Sequence, residues 1–510
     1  MPKFETLAKF FIDLYDILYN NMSKTEKSPT LLQSFIPIIF LIILLSLNVI
    51  IWGDETLDGS NQTALLLAAA LASVIAFRLG TNWLKLRKRI VKTIGKAMPA
   101  ILILLLIGSL SGTWLLSGVI PAFIYYGLDV LHPSIFLFAT VVISSLISLA
   151  TGSSWSTVAT VGVALLGIGH AMGINDSITA GAIISGAYFG DKMSPLSDTT
   201  NLAPAMAGTD LYTHIRYMMI TTIPSMTITL IIFLIMGFTY DFQANAAEVK
   251  EVQTAIADTF NVTPWLFIVP AFLIFIIIKK VKPIPSMLLG TLAGGLFAII
   301  FQPDIIQHIS GITNNYAEAS YVSVMKAMYG KIEIVTENER INDLFGTGGM
   351  AGMLNTIWLI LSAMVFGGVM ESSGMLKKIT LSVMKRVKSD GSLVASTAAS
   401  CIFFNATASD QYISIVVPGR MYNKAFREKG LKPEVLSRTL EDAGTVTSVL
   451  IPWNTGGATQ ARVLGVATVD YLPYAFFNLI SPLMTVLVAY LNYKIRRIPE
   501  KDKKDKDSEK

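Results

Sequence analysis

Two short segments gather the residues with the most chemistry in this chain of 510 residues. Residues 194–200 (SPLSDTT) and residues 451–457 (IPWNTGG) each set a proline among hydroxyls or amides, inside stretches that are otherwise apolar. Pro195 and Pro452 lack a backbone donor and push Ser194 and Ile451 away from helical geometry, so each segment reads as a break in a helix. Carbonyls freed at membrane depth persist only where protein buries them or a cavity holds them, and there they can replace the hydration shell of a cation. The side chains at hand are hard oxygen donors. The first break supplies Ser194, Ser197, Asp198, Thr199, Thr200 and Asn201, and the nearby run 151–157 (TGSSWST) adds Thr151, Ser153, Ser154 and Ser156. In the second half the matching set is Asn405, Thr407, Ser409 and Asp410, followed by Asn454 and Thr455 at the break itself. Oxygen donors without thiolates suit a hard cation, sodium or lithium, at one shared centre.

Acidic residues inside apolar segments are few, and each is a functional candidate by default. Asp191 lies four positions before Pro195 and Asp198 three after it, so two carboxylates bracket the first break. These rank first as proton carriers, with Asp410 next. Glu441 and Asp442 sit about 15 Å from Pro452 if the intervening chain is helical, and read as relay groups. Lys192 is a candidate to neutralise Asp410 or Asp198, and His170, which titrates near neutral pH, is a further relay candidate. Against these readings stand ordinary packing and back-bonding by single hydroxyls, and ion pairs of the carboxylates with Lys192, Arg438 or Arg462. Clustering at two corresponding breaks is what that alternative explains poorly. A desolvated aspartate that holds either a proton or a cation, exposed alternately to the two sides, would exchange one for the other without a catalytic step.

The elements that must position these residues are membrane helices. The composition is 53% hydrophobic and 15% charged, with a mean hydropathy of +0.58, and the apolar runs are continuous rather than alternating. The single cysteine, Cys401, excludes a disulfide framework and a thiolate cluster. The first apolar run begins too far along, and lacks the small-residue site, for a removable signal peptide. A pI near 8.9 does not indicate nucleic acid, because the basic residues lie between spans and act as topology signals.

Placing lysine- and arginine-rich loops in the cytoplasm gives ten crossings and two hairpins, with both termini inside. The firmest anchor is residues 78–96, with seven basic and no acidic residues. The expected architecture is an all-α polytopic membrane protein of two inverted-topology repeats, each with five spans and one re-entrant hairpin. Residues 1–30 form a cytoplasmic segment, 31–240 the first repeat, 241–263 an external linker, and 264–495 the second repeat. Residues 302–352 are an external loop within that repeat, and 496–510 a charged cytoplasmic tail. The hairpins cover residues 133–174 and 392–422, and the interrupted helices cover 177–208 and 434–466. Spacings agree between halves: Trp155 to Pro195 is 40 residues and Asp410 to Pro452 is 42, while Pro195 to Pro224 is 29 and Pro452 to Pro482 is 30.

Residues 181–210 (GAIISGAYFGDKMSPLSDTTNLAPAMAGTD), 151–162 (TGSSWSTVATVG) and 404–466 resemble the NhaC family of bacterial sodium/proton antiporters, within the wider ion-transporter group. The resemblance covers residues 30 to 495. It implies export of sodium in exchange for protons at a bacterial plasma membrane, with sodium and protons as transported substrates and no cofactor, serving sodium tolerance and pH homeostasis. It also implies two inverted repeats with re-entrant hairpins. The same family holds sodium-coupled carboxylate exchangers of the malate/lactate kind, which are the main rival reading.

Other classes fit less well. The run 346–352 (GTGGMAG) lacks the lysine and hydroxyl ending of a phosphate loop, so a nucleotide-driven pump is unsupported. His132, His170, His214 and His308 show no metal-ligand spacing, and an enzyme is not expected. A cation channel would pass sodium without moving protons. An organic anion needs cationic anchors, and the basic residues near the breaks in sequence are Lys192, Arg420 and Arg462, which favours inorganic exchange. The partners expected are the lipid bilayer and the two ions, with no nucleic acid; oligomeric state stays open, a homodimer included.

Overall fold

The computed structural model describes residues 27–52, 59–239, 246–279, 281–336, 342, 345–385 and 387–498. Most of the N-terminal segment, the acidic group Asp54, Glu55 and Asp58, part of the linker after residue 239, Lys280, Arg386 and nearly all of the charged tail lie outside the described residues. The described chain is predominantly helical. Eight helices are long and apolar enough to cross a membrane, or ten if each of two bent pairs counts as one span: Val249–Thr259 with Pro264–Ile278, and Thr468–Tyr474 with Phe476–Tyr490.

Burial separates these helices into a lipid-facing shell and an interior. Of the apolar window in Leu31–Trp52, 29% is buried, and Ile39, Ile42 and Ile43 lie about half exposed along one side. In Ser154–Ala171 the buried share is 83%. An apolar side chain gains nothing by leaving lipid for protein, so the interior is built on small residues and hydroxyls instead. Gly186 and Gly190, one turn apart, show this most directly. A Cβ at Gly186 would stand 2.4 Å from the Val141 carbonyl oxygen, and one at Gly190 2.3 Å from that of Ser145. Helix Asp176–Met193 therefore lies backbone to backbone on Pro133–Thr151, with the Ser148 hydroxyl donating to the Ala187 carbonyl at 2.5 Å.

The first hairpin comprises Pro133–Thr151 and Ser154–Ala171, turning at Gly152. Both arms reach spanning length. The turn needs its glycine, because φ is +69° and a Cβ would lie 2.6 Å from that of Leu196. Gly152→Ala is expected to cost about 1–3 kcal/mol and to lower the melting temperature of the detergent-purified protein. An unchanged transition would remove the strain argument. The first interrupted helix is Asp176–Met193, a break at residues 194–197, and Asp198–Ala207.

The second half repeats the order of parts. Its hairpin is Asp390–Thr407 and Gln411–Glu428, turning at residues 408–410, where Ser409 adopts φ +56°. Its interrupted segment runs Pro433–Leu440, a π-helical turn Glu441–Thr445, a 3-10 turn Ser448–Leu450, the break at Pro452, and Thr455–Leu464.

Three expectations need correction. The basic stretch 78–96 is not a loop after Asn82: Trp83–Leu116 is one helix of 34 residues, about 51 Å long, so its cationic first turns extend beyond a hydrocarbon core of about 30 Å. The alternation of basic and aliphatic residues from 83 to 96 satisfies a helix that leaves the bilayer without ending. The region 302–352 carries helices Pro303–Ser310 and Tyr316–Tyr329 and the antiparallel pair Ile332–Glu333 with Gly346–Thr347. It packs closely, since a Cβ at Gly112 would stand 1.9 Å from the Ala327 carbonyl oxygen. The linker after residue 240 likewise contains helix Ala246–Thr259. Polarity led to the expectation that both regions lie outside the bilayer but said nothing of their local order.

Candidate ion-binding site

Each hairpin tip docks on the break that follows it. At the first, Ser154 donates to Asp191 Oδ2 twice, from its backbone amide at 3.1 Å and its hydroxyl at 2.7 Å. The carboxylate is 7% exposed and stands at the floor of a cavity of about 1540 Å³. At the second, Asn454 Nδ2 donates to the carbonyl and side-chain oxygens of Asn405 at 2.9 and 3.1 Å, and Trp453 Nε1 donates to the Ala406 carbonyl at 2.7 Å. The Thr455 amide then donates to the Ser409 carbonyl at 3.0 Å.

This cavity collects residues from both halves. Thr151, Ser153, Ser156, Asp191, Ser197, Asp198 and Thr199 line it from the first half, and Asp410 and Thr455 from the second. Asp198 is exposed to it, whereas Asp410 is 2% exposed and caps its helix by accepting from the Ile413 amide at 2.8 Å. Ser153 and Ser197 also cap helices, accepting from the amides of Ser156 and Thr200.

Several expected ligands serve the backbone instead. The Thr200 hydroxyl donates to the Lys192 carbonyl at 3.0 Å, and Asn201 Nδ2 donates to those of Pro195 and Ser197 at 2.9 and 2.7 Å. These bonds take up carbonyls that the break would otherwise offer to an ion. Ser194 accepts from the Leu196 amide at 3.2 Å, and Thr407 back-bonds to the Phe403 carbonyl at 2.7 Å. His170 pairs with Asp176 at 3.0 Å, on the connection between the hairpin and the interrupted helix, and does not line the cavity.

The other relay candidates, Lys192, Glu441 and Asp442, lie together in the interior. Lys192, fully buried, pairs with Asp442 and donates to the Ser481 hydroxyl at 2.9 Å. Asp442 also accepts from the Thr221 hydroxyl at 2.8 Å, with Arg438 Nε 4.0 Å away. Lys192 is therefore not the counter-charge of Asp410 or Asp198: its ammonium reaches the π-helical turn of the other half. Glu441, next to Asp442 in the π-helical turn, accepts from the Thr199 hydroxyl at 3.0 Å and so stands behind the cavity wall.

Sequence order concealed the cavity's basic rim. Arg89, Lys92 and Lys96, on one face of helix Trp83–Leu116, line it together with Lys282, Lys377 and Arg420. Arg89 is ion-paired with Glu371, which also lines the cavity. This corrects the expectation that few cations stand near the breaks, because the rim comes from helices remote in sequence. Tyr188, Gln411, Tyr412, Ser448 and Gln460 were also missed. For Tyr188 a signal existed, one helical turn before Asp191; for Gln411, adjacency to Asp410.

A bundle of apolar helices around two hairpins and two interrupted helices, with buried carboxylates at their meeting point, defines a multi-span membrane protein with the parts of a transporter. Residues 186–493 match the model of the Na+/H+ antiporter family, and the chain belongs to that family. It is 36% identical to the malate-2H+/Na+-lactate antiporter of Bacillus subtilis (strain 168), over 92% of this chain and 96% of that protein. It is also 36% identical to the Na+/H+ antiporter NhaC of the same organism, over 84% and 91% of the two chains. The NhaC of Alkalihalophilus pseudofirmus is 35% identical, over 87% and 93%.

Proposed function

We propose that the protein exchanges sodium for protons across the plasma membrane of a bacterium, both termini cytoplasmic, by competition of the two ions at Asp191. What carries this reading is Asp191 itself: a carboxylate buried at the floor of a large open cavity, held by Ser154 and surrounded by hydroxyls of the hairpin tip and break. With a cation bound the carboxylate stays charged; with a proton bound it is neutral, and either form is suited to crossing a low-dielectric interior. Asp198, exposed in the same cavity, draws cations toward the floor, and Asp410 and Thr455 lend the second half's oxygens. The repeated order of hairpin and interrupted helix supports two inverted repeats, residues 31–240 and 264–495. Their hairpins and breaks move against the remaining helices to expose the site alternately.

Asp198→Asn in inside-out vesicles tests the placement of this attracting charge. Its exchange is expected to need several-fold more sodium for half-maximal rate, and an unchanged sodium dependence would remove Asp198 from the site.

The rim favours a second reading, in which a small carboxylate travels with sodium. A cavity of about 1540 Å³ is far larger than one ion needs, and Lys92, Lys96, Lys282, Lys377 and Arg420 supply the anchors an organic anion requires. The relative named for malate and lactate makes that anion class concrete. Recording internal pH in sodium-loaded proteoliposomes, with and without malate or lactate, separates the two. Proton movement driven by sodium alone is expected, and a strict carboxylate requirement would establish the second reading instead.

A further inference from the structure

Beyond the cavity floor lies a polar nest that neither hairpin tip nor break accounts for. Tyr188, Ser448, Thr459 and Gln460 are all fully buried. The Tyr188 hydroxyl lies within reach of the side chains of Ser154, Ser448 and Gln460, but among the described residues no hydrogen bond of regular geometry is made by it or by either side-chain polar atom of Gln460. Buried hydroxyls and amides are ordinarily paired, since leaving one unpaired costs about 1–3 kcal/mol. Here the Tyr188 hydroxyl and the Gln460 amide stand together without a regular hydrogen bond. Tyr188 stands one helical turn from Asp191, and Ser448 donates to Gln411 Oε1 at 3.2 Å, so the nest joins the cavity floor through both Asp191 and Gln411.

A glycine lets its helix approach these groups closely. A Cβ on Gly456 would lie 2.8 Å from Ser448 Oγ and 3.2 Å from the Tyr188 hydroxyl. Gly456 is helical, inside Thr455–Leu464, so no backbone conformation there demands glycine.

We propose that this nest is the seat in which sodium sits dehydrated, between Asp191 and the neutral oxygens of Tyr188, Ser448 and Gln460. It rests on the sodium-for-proton reading and deepens it: Asp191 is shared by both ions, while the three neutral oxygens act on the cation alone. A rigid set of neutral oxygens around one carboxylate selects by size, favouring sodium or lithium over potassium. The proton needs none of them.

Equilibrium binding of radioactive sodium to the detergent-purified protein, with sodium-driven proton movement in proteoliposomes, tests the seat. Tyr188→Phe removes one oxygen and leaves the ring in place; Gly456→Ala presses on Ser448 and Tyr188 without removing a ligand. Each is expected to weaken sodium binding by about tenfold and to shift the lithium-to-sodium preference. Matched melting temperatures show that the fold is retained, and either variant that passes this control is sufficient. Sodium affinity and ion preference unchanged in a folded variant, with exchange intact, would overturn the seat. Wild-type protein that binds sodium in this way, but whose sodium gradient moves no protons, would instead overturn the exchange reading and leave the seat standing.

Discussion

Asp191→Asn is expected to reduce sodium-driven proton movement in proteoliposomes to the level of protein-free vesicles, while the melting temperature stays close to that of the wild type. Asparagine keeps the shape and one acceptor oxygen, so both Ser154 bonds at 3.1 and 2.7 Å can persist. What disappears is the ability to carry a proton and to balance a cation. A buried charge costs desolvation energy that its bonds only partly return, so losing it need not destabilise the fold. Asp198, exposed in the cavity, retains most of its hydration, which is why its removal should change sodium dependence and not abolish exchange. Equal loss in both variants would mean that the two carboxylates act as one unit. Full exchange in Asp191→Asn would move the carrier elsewhere, with Asp410 the next cavity-lining carboxylate.

Removing the interior ion pair should act on stability first. Lys192→Met leaves Asp442 buried with the Thr221 and Ser481 hydroxyls and Arg438 as remaining partners, and the expected cost is about 3 kcal/mol. Asp442→Asn should cost more, because it strands two buried cations. Among the described residues, Arg438 has no hydrogen-bond partner for any of its three guanidinium nitrogens. Its contact with the Tyr217 ring, 4.6 Å from the centroid, offsets only part of that. Thermal unfolding in detergent should therefore rank wild type above Lys192→Met and Lys192→Met above Asp442→Asn. The reverse order would show that Arg438 finds its compensation elsewhere, with Glu441 the nearest candidate along the same turn.

The contrast between these two aspartates shows what could be read without a fold. Asp191 was legible because proline, hydroxyls and a carboxylate occur within one turn or two of each other, and local chemistry is written locally. The pairing of Lys192 with Asp442 joins residues 250 positions apart, and nothing in either neighbourhood announces it. Hydroxyls were the least legible class. Ser156 lines the cavity, whereas the Thr200 and Thr407 hydroxyls bond backbone carbonyls, although all three stand in equally polar, equally broken segments. Which way a hydroxyl turns depends on the nearest carbonyl in space.

By itself the sequence determined that the chain lives in a membrane, where its helices break and which short segments form hairpin tips. Hydropathy, proline and glycine act over a few residues, and a bilayer leaves the backbone almost no alternative to helix. Only the tertiary structure decided that Asp191 is buried and Asp198 open, that Lys192 belongs to Asp442, and that cations from helix Trp83–Leu116 ring the cavity. Each of these depends on close approach between segments distant in the chain, such as Gly190 against the Ser145 carbonyl, and on which charges that approach removes from water.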